Sequence, residues 1–262
     1  MLCAVTAEPL VDAAALTAAL TGPERLFTAV SCLASTGSTN ADLAARGRTG
    51  APSGLVLVAD HQRSGRGRLD RQWEAPPGTS LAVSMLLRPD HVEPERWSLL
   101  SLVAGLAVVD GIAEACGVQA GLKWPNDVLI GAGKVCGILS ERVEDAAVVG
   151  FGINTTLTAA QLPAPTATSL ALAGARPDPT RLVIAALTAF ERGYRAWARG
   201  EDLRPAYRRA SATIGQQVRV VGTAGTVEGM ATGVDEWGRL LVDTPSGPRA
   251  FAVGDVVHLR PQ

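Results

Sequence analysis

Residues 122–153, LKWPNDVLIGAGKVCGILSERVEDAAVVGFGI, predict the β-sheet on which the fold depends. The segment contains three apolar runs of strand length, which are Leu122–Ile130, Val135–Glu141 and Ala147–Ile153. The turn Gly131-Ala132-Gly133 joins the first two runs and is typical of a β-hairpin. The first run also carries a polar cluster, which is costly in a buried strand unless its polar groups have partners.

Helices and strands are predicted upstream of this stretch. In chain order they are a helix over Leu10–Leu20, a helix from Thr39 to about Arg46, and strands over Leu55–Ala59 and Ser80–Leu87. The segment His61–Thr79 is rich in Gly, Arg and Pro and has no periodicity, so we expect a loop there. Ser98–Cys116 places its apolar residues near helical spacing, which predicts a core helix.

The pattern changes towards the C-terminus. After a Pro- and Ala-rich loop over Thr155–Pro179, a long amphipathic helix is predicted from about Thr180 to Ala198. Short strands separated by glycine turns follow, at residues 218–221, 226–230, 240–242, 250–252 and 256–259. Strands spaced so closely predict a small barrel. We therefore predict two domains, residues 1–212 and 213–262.

The composition excludes several classes of protein. Hydrophobic residues make up 47% of the 262 residues, which is enough for a full core and excludes a largely disordered protein. The 24 Lys and Arg nearly balance the 25 Asp and Glu, which disfavours a protein that coats nucleic acid. Four scattered cysteines (Cys3, Cys32, Cys116 and Cys136) lack the spacing of a metal site or a disulfide framework, so we expect a reducing compartment.

The N-terminus and the longest apolar stretch favour a cytoplasmic protein. The N-terminus has no basic residue before an apolar run, so it is a poor signal peptide. Leu99–Val118 is apolar but contains Asp110 and Glu114, and we expect it to be too polar to cross a membrane.

The predicted loop contains Gly65-Arg66-Gly67-Arg68, with a third arginine at Arg71. Guanidinium groups form bidentate pairs with carboxylates and phosphates. Glycines allow close backbone approach and let a loop become ordered when a ligand arrives. The pattern on its own fits three alternatives: an anion-binding loop, a solvated arginine loop, or an Arg-Gly segment that binds RNA.

A second polar cluster, Lys123-Trp124-Pro125-Asn126-Asp127, lies in the first predicted strand. Proline cannot donate to a strand ladder and is unexpected in a central strand. Asp127 is a candidate ligand for Mg²⁺ on ATP, because Mg²⁺ takes one or two carboxylates plus substrate phosphates. The alternative is an edge strand with a solvated bend. Lys134, just before the next strand, is a candidate positive charge for a carbonyl or phosphate, although most lysines in such places are only solvated.

Two further segments place polar side chains at the ends of predicted elements. Gly152-Ile153-Asn154 closes a strand, and Ser38-Thr39-Asn40 precedes a helix. A terminating turn and a helix cap would account for them, but hydroxyls and a carboxamide at a helix N-terminus also suit a polar heterocycle. The sequence contains no Walker loop of the form GxxxxGK[ST] for ATP.

Taken in order, these motifs closely resemble the biotin protein ligases, which attach biotin to carboxylase carrier proteins. The resemblance extends over roughly residues 31–260 and rests on the ordered set rather than on any one motif. The matching segments are Ser38-Thr39-Asn40, Gln62, Gly65–Trp73, Lys123–Asp127, Lys134–Leu139, Gly150–Asn154, Thr168–Leu170 and residues 233–240.

The resemblance implies an α+β fold in which helices flank a mixed central sheet, like the class II synthetases, followed by a small SH3-like barrel. It also implies a two-step reaction. The carboxylate of biotin attacks the α-phosphorus of MgATP to give biotinyl-5′-AMP, and a lysine of a biotin carboxyl carrier domain then takes the biotinyl group. ATP and Mg²⁺ are the implied cofactors and biotin is the substrate. The implied partners are acyl-CoA or pyruvate carboxylases, without nucleic acid or membrane, and we expect a monomer or weak homodimer.

The resemblance also implies roles for individual residues. Lys134 and Arg68 are implied as catalytic residues and Asp127 as a metal ligand. The implied biotin-binding residues are Ser38, Thr39, Asn40, Gln62, Arg66, Gly67, Arg68, Lys134 and Gly137. The implied ATP-binding residues are Arg66, Arg68, Arg71, Trp73, Lys123, Asn126, Asp127 and Asn154.

Other functions remain open at this level. Some relatives carry an N-terminal winged helix-turn-helix and repress biotin synthesis, but only 37 residues precede Ser38, so we expect a ligase without DNA-binding activity. A lipoate or octanoate ligase of the same fold superfamily is one alternative. A non-catalytic regulator that responds to biotin or nucleotide is another, although a mere binder would not need Arg68 and Lys134 together.

Overall fold

The computed structural model describes residues 9–69, 71–222 and 225–259, so Cys3, Asp70 and both chain ends lie outside the described residues. Within them the chain forms five α-helices, which are α1 (Ala13–Leu20), α2 (Thr39–Arg48), α3 (Leu100–Cys116), α4 (Pro179–Ala198) and α5 (Arg204–Ala210). The strands before α4 are β1 (Ala29–Leu33), β2 (Leu55–Ala59), β3 (Gly65–Arg66), β4 (Gln72–Trp73), β5 (Ser80–Leu87), β6 (Gly121–Lys123), β7 (Asp127–Ile130), β8 (Gly133–Val143) and β9 (Ala146–Asn154). The strands after α5 are β10 (Gln217–Gly222), β11 (Gly225–Val234), β12 (Leu240–Thr244), β13 (Gly247–Phe251) and β14 (Asp255–His258).

Seven strands form the central sheet in the order β1-β2-β5-β9-β8-β7-β6. Strands β1 and β2 pair in parallel, and the other described neighbours pair antiparallel. This mixed sheet with its flanking helices confirms the predicted fold class.

Helices cover both faces of the central sheet. On one face, α3 and α4 belong to the core that includes Val58 and Phe151. On the other face, Leu43 of α2 packs with Leu57 and Leu86, whose side chains point away from the first core because neighbours along a strand alternate in direction. Because both faces are covered, β5 and β9 are buried along their whole length. Such double coverage explains why their sequences are almost continuously apolar.

The single strand predicted over Leu122–Ile130 is wrong. The chain instead forms β6 and β7, which pair with each other as a hairpin in which Lys123 lies opposite Asp127. Residues 124–126 make the turn, where Pro125 has no N–H to offer a ladder. The polar cluster therefore lies at a hairpin tip rather than inside a strand. The following turn at residues 131–133 joins β7 to β8 as predicted.

Four other features differ from the sequence prediction. The segment predicted as a loop, His61–Thr79, contains a small hairpin in which β3 pairs with β4. The helix predicted from Ser98 begins with a 3₁₀ turn over Pro94–Leu99. Strand β1 and helix α5 were not predicted. No residue of β1 is fully buried, and Ser31 interrupts its short apolar run.

The C-terminal residues form a five-stranded antiparallel sheet in the order β13-β12-β11-β10-β14. The outer strands β13 and β14 do not pair within the described residues, so the sheet is open where a closed barrel was expected. Val218, Leu240 and Val256 of this sheet belong to the same apolar core as the central sheet. At the junction the Ala212 N–H donates to the Leu122 carbonyl at 2.8 Å. The domain division at residue 212 stays a prediction.

One apolar segment, Pro94–Cys116, is long and apolar enough to cross a membrane by length and composition, with a mean hydropathy of 1.9 in its most apolar window. On composition, the expectation that Asp110 and Glu114 would exclude such a span is wrong. In the fold, however, 56% of that window is buried, and α3 belongs to the core shared with the sheet and α4. A core helix of this kind accounts for the apolar composition.

Candidate active site

One cleft collects nearly all of the polar residues singled out from the sequence. It has a volume of about 300 Å³ and is lined by the β3–β4 hairpin, the β6–β7 turn, the start of α2, and parts of β8, β9 and β14. Such a volume is at the lower end of the range for small-molecule sites. Fourteen of the fifteen predicted site residues line it, namely Ser38, Thr39, Asn40, Gln62, Arg66, Gly67, Arg68, Arg71, Trp73, Lys123, Asn126, Asp127, Lys134 and Gly137.

Asn154 is the predicted residue that does not line this cleft. It ends β9, and its carboxamide nitrogen donates to the Thr168 carbonyl at 2.9 Å. Its Oδ1 atom is buried without a hydrogen-bond partner among the described residues. Buried acceptors are rarely left unpaired, so this oxygen is a candidate for a ligand or water contact.

A network of hydroxyl and amide groups forms one end of the cleft. The backbone N–H of Thr39 donates to Gln62 Oε1 at 2.8 Å, and the Thr39 hydroxyl donates to the same oxygen at 3.0 Å. Ser84 Oγ lies 2.7 Å from the Thr39 hydroxyl and 2.6 Å from Asn40 Oδ1. These oxygens offer more lone pairs than the network has hydrogens, because each hydroxyl supplies one hydrogen and each oxygen accepts two bonds. The network can therefore accept hydrogen bonds from a ligand.

Asn40 is fixed by the protein through both ends of its amide. Its Nδ2 atom donates to the Leu139 carbonyl at 3.2 Å and to Glu141 Oε2 at 2.8 Å. Its Oδ1 atom occupies the space left by Gly150, since a Cβ on that glycine would lie 2.0 Å away. Both amide hydrogens are used within the protein, so Asn40 braces this end of the cleft.

The arginine hairpin (Gly65–Trp73) reaches three different elements through its three arginines. Its backbone is closed by the Gly67 N–H, which donates to the Arg71 carbonyl at 2.7 Å. The side-chain pairs are Arg66 with Glu141 of β8 at 3.2 Å, Arg68 with Asn126 of the β6–β7 turn at 3.3 Å, and Arg71 with Asp255 of β14. These contacts hold the hairpin over the cleft.

Arg68 is the arginine best placed to bind an anion. Burial lowers the pKa of Arg68 from its ordinary value, and the carboxylates of Asp255 and Asp127 raise it in part. Arginine nevertheless stays charged in proteins. The hydrogen-bond partner of Arg68 among the described residues is the neutral Asn126 carboxamide. A partly buried cation with a neutral partner favours an anionic ligand, because burial makes an uncompensated charge costly.

Lys134 and Trp73 meet near the middle of the cleft. The Lys134 Nζ atom lies 2.7 Å from Asp127 Oδ1 and 5.7 Å from the centre of the Trp73 ring, within range of a cation–π contact. The ring lies against Gly137 and Gly152, where a Cβ would approach it to 3.1 and 2.6 Å. The two glycines therefore make room for an aromatic surface beside the lysine. Trp73 Nε1 is buried without a partner in the described part of the chain.

The basic residues are unevenly distributed between lysine and arginine. Of the 24 basic residues, only Lys123 and Lys134 are lysines, and both line the cleft. Lysine carries a compact charge on a flexible stem, whereas arginine presents a planar fork. The chain thus places both of its point-like cations at this site.

The structure also brings in residues that the sequence did not identify. Ser84 of β5 completes the hydroxyl network, Glu141 of β8 holds Asn40 and Arg66, and Asp255 enters from the C-terminal sheet. Ser84 is fully buried inside an apolar strand, and that contrast was a signal available in the sequence. Nothing local marks Asp255, which is 184 residues from its partner along the chain.

The acidic groups fit a metal ion that arrives with a phosphate ligand. Among the described residues, no group of three or more His, Cys, Asp or Glu side chains could hold a metal. The carboxylate of Asp127 lines the cleft with 21% of its side chain exposed. One or two carboxylates suffice for Mg²⁺ when substrate phosphates and water complete its coordination. The donor set therefore fits a nucleotide-borne Mg²⁺.

The mixed sheet, the cationic hairpin and the amide-lined cleft fit the class of ligases that activate small carboxylic acids. Residues 32–154 match the model of the Biotin/lipoate A/B protein ligase family. Residues 213–259 match the model of the Biotin protein ligase C terminal domain.

Individual relatives narrow the class. The chain is 40% identical to a biotin–[acetyl-CoA-carboxylase] ligase of Mycobacterium tuberculosis, over 96% of this chain and 97% of that protein. It is 34% identical to the bifunctional ligase/repressor BirA of Bacillus subtilis, over 86% of this chain and 71% of that protein. A solved structure of the Aquifex aeolicus biotin protein ligase with biotin and ATP matches 90% of this chain and 100% of its own, with a TM-score of 0.77 and 29% identity. This chain belongs to the biotin protein ligase family, and it is therefore a ligase.

Proposed function

We propose that this chain forms biotinyl-5′-AMP from biotin and MgATP and transfers the biotinyl group to a lysine of a carrier domain. The observation that carries the proposal is the single cleft where the arginine hairpin, the Lys134–Asp127 pair and the Thr39–Gln62 network meet. The relatives support biotin as the acid. The Mycobacterium tuberculosis relative is named for biotin and acetyl-CoA carboxylase, and the Aquifex aeolicus structure contains biotin and ATP.

The ring system of biotin binds at the Thr39–Gln62 end of the cleft. Its cyclic urea has two N–H donors, and the hydroxyl and amide oxygens there have lone pairs to accept them. Ser38 caps α2 and thereby fixes the position of Thr39, while Asn40 braces the same turn. The bare backbone at Gly137 lets Trp73 and Lys134 pack against β8, and the acyl chain lies along this surface.

The carboxylate of biotin lies beneath the arginine hairpin. A carboxylate and a triphosphate repel each other, so Arg66, Arg68 and Lys134 bring them together and stabilise the charge that develops at phosphorus. In this step a carboxylate oxygen bonds to the α-phosphorus as the bond to the pyrophosphate oxygen breaks. Pyrophosphate leaves with the electron pair, and no proton is transferred. The Gly67 backbone allows the hairpin to approach the product closely.

The nucleotide binds on the side of the β6–β7 turn. Lys123, Asn126, Arg71 and Trp73 line that side of the cleft and offer cationic, amide and aromatic groups. Asp127 would hold the Mg²⁺, which neutralises phosphate charge when it is bound. The unpaired Oδ1 atom of Asn154 supports a position near the nucleotide, because an adenine amino group would satisfy it.

In the second step the ε-amine of the acceptor lysine bonds to the acyl carbon, and AMP leaves with the electrons of the acyl–phosphate bond. The amine then loses a proton to solvent. The acceptor is a biotin carboxyl carrier domain, and we propose acyl-CoA or pyruvate carboxylases as its sources. The name of the Mycobacterium tuberculosis relative supports the first of these.

Three further properties complete the proposal. The chain matches 97% of a relative named as a ligase alone, which supports a ligase without repressor activity. We further propose a cytoplasmic enzyme that is a monomer or a weak homodimer.

ATP–pyrophosphate exchange tests the function directly. The full chain is given ATP, Mg²⁺ and labelled pyrophosphate with biotin, lipoate or octanoate in parallel. We expect exchange with biotin, because its cyclic urea matches the Thr39–Gln62 network. Exchange with lipoate or octanoate but not with biotin would refute the proposal in favour of the lipoate-ligase alternative.

A further inference from the structure

Glu141 lies outside the lining of the main cleft but contacts two residues that line it. Its Oε2 atom accepts a hydrogen bond from Asn40 Nδ2 at 2.8 Å and pairs with the Arg66 guanidinium at 3.2 Å. The side chain of Glu141 is 28% exposed and that of Arg66 is 47% exposed. One carboxylate oxygen of Glu141 thus joins two parts of the cleft. It contacts the Thr39–Gln62 end through Asn40 and the arginine hairpin through Arg66.

Towards the Thr39–Gln62 end, the contact continues into the hydroxyl network. Asn40 is confined by Gly150, Leu139 and Ser84, so its amide has little freedom to turn. Ser84 in turn lies beside the Thr39 hydroxyl, which bonds Gln62. The Thr39–Gln62 end is therefore linked to Glu141 through the polar side chains of Thr39, Ser84 and Asn40.

On the side of the arginine hairpin, Arg66 differs from the other two arginines. Arg68 contacts the β6–β7 turn and Arg71 contacts the C-terminal sheet, both on the nucleotide side. Arg66 alone of the three, within the described residues, pairs with a group bonded to the opposite end of the cleft. Its pair with Glu141 is therefore the contact that links the Thr39–Gln62 end of the cleft to the arginine hairpin.

We infer that Glu141 is a positioning residue that couples occupancy of the Thr39–Gln62 end to closure of the arginine hairpin. This inference rests on the proposed function, because it assigns biotin's ring to that end. A ligand that bonds Thr39 and Gln62 reinforces the network that holds Asn40 and, through it, Glu141. The carboxylate then holds Arg66 in place over the acyl group. Loss of the Glu141 charge leaves the Thr39–Gln62 end intact but weakens the contact that holds the arginine hairpin.

Two variants separate these contacts. Glu141→Gln keeps an oxygen for Asn40 and removes the charge that pairs with Arg66, whereas Glu141→Ala removes both contacts. Glu201→Gln is the matched control, because Glu201 forms an exposed pair with Arg199 away from the cleft. Steady-state rates give KM for biotin and kcat, and a chase experiment gives the rate at which bound adenylate escapes.

For Glu141→Gln we expect KM for biotin and the adenylate escape rate to rise about two- to fivefold, as for the loss of a half-exposed ion pair. The thermal midpoint should stay at that of the parent, because a half-exposed ion pair contributes little to stability. For Glu141→Ala we expect KM for biotin and the adenylate escape rate to rise about tenfold or more, because Asn40 also loses a charged acceptor. If Glu141→Gln has the same KM for biotin and the same adenylate escape rate as the parent, the inference is wrong. Glu141 then has only a structural role.

A ligand-free measurement separates this inference from the proposed function. Limited trypsin digestion cuts after Arg66 and Arg68 when the hairpin opens. We expect Glu141→Gln to be cut there about two- to fivefold faster than the parent and the Glu201→Gln control. If the parent lacks biotin-dependent exchange yet the variant is cut faster, the proposed function fails while the Glu141–Arg66 contact stands. Equal cutting rates would show that the Glu141–Arg66 contact does not hold the hairpin closed.

Discussion

The two walls of the cleft are held in different ways. The arginine hairpin is held partly by exposed ion pairs, with Arg66 at 47% and Arg71 at 62%, and partly by the Trp73 ring against Gly137 and Gly152. The opposite wall, the β6–β7 turn, is anchored by Trp124, which is 2% exposed. The indole N–H of Trp124 donates to the Gly238 carbonyl at 3.0 Å, and its backbone N–H donates to Thr213 Oγ1 at 3.1 Å.

This difference assigns separate tasks to the two walls. Exposed ion pairs contribute about 0–1 kcal/mol each, so the pairs of Arg66 and Arg71 break at low free-energy cost. The buried Trp124 makes the β6–β7 turn a fixed surface, because its indole bonds Gly238 and its backbone N–H bonds Thr213. We therefore propose that the nucleotide binds against the fixed wall and that the arginine hairpin closes over it. Closure of this kind protects a reactive intermediate from water.

Lys134 contacts both walls, and its loss should give the largest effect. Lys134→Ala removes the charge that pairs with Asp127 and stacks on Trp73. We expect biotin-dependent ATP–pyrophosphate exchange to fall by about 10²–10³, as for the loss of one electrostatic donor to a transition state. Circular dichroism should show an unchanged fold, and Arg192→Ala serves as the exposed-charge control. Full exchange by Lys134→Ala would contradict the catalytic assignment.

Arg68 tests the movable wall alone. Arg68→Gly removes the partly buried guanidinium, and we expect bound adenylate to escape about tenfold or more faster, as for the loss of a charged hydrogen bond. Released adenylate should label lysines on a bystander protein, which mass spectrometry detects. Arg68→Lys keeps the charge without the fork and should be intermediate. Unchanged retention in Arg68→Gly would show that the arginine hairpin does not hold the intermediate.

Trp124 tests the fixed wall alone. Trp124→Phe keeps a ring but leaves the Gly238 carbonyl without its indole donor. We expect the free energy of unfolding to fall by about 1 kcal/mol, measured by urea denaturation, with adenylate retention nearly unchanged. Arg71→Gln should have the opposite effect. We expect bound adenylate to escape faster while the free energy of unfolding stays the same, since exposed ion pairs contribute little to stability. The distinction between the walls fails if Trp124→Phe changes escape more than stability.

The smallest effect is expected from His258, which lies behind the fixed wall. Its Nε2 atom is 3.0 Å from Thr213 Oγ1. Burial and then the positive charge of Lys123 lower the pKa of His258 from its ordinary value of 6.5. The unfolded chain therefore binds the proton more readily, and the free energy of unfolding falls as the pH drops below about 6.5. His258→Gln should flatten the fall of Tm between about pH 7 and pH 5. An identical slope in both proteins would rule out this contribution.

The regular parts of the fold were predictable because they depend on local apolar patterns. The strands Leu55–Ala59 and Ser80–Leu87 have the bounds predicted from their apolar runs alone. The β6–β7 hairpin was missed because Leu122–Ile130 has enough apolar residues on both sides of Pro125 to resemble one strand. The open C-terminal sheet was missed because closure depends on pairing between strands far apart in sequence.

The site residues were predictable where a motif carried them. The resemblance identified fourteen of the residues that line the cleft, and the family it named is confirmed. Glu141 and Asp255 were missed because their importance depends on which arginine folds against them. Their positions come from strands β8 and β14, and no spacing within the arginine hairpin predicts those contacts.

The confinement of both lysines to the cleft makes this chain unusually simple to probe. An amine-directed acylating reagent finds the terminal amine and two side chains, Lys123 and Lys134, and no lysine elsewhere in the sequence. The count of attached labels per chain, taken from an intact mass spectrum, therefore reports directly on how accessible the cleft is. Each ligand added to the protein can be followed by the label that it prevents, without any engineered residue.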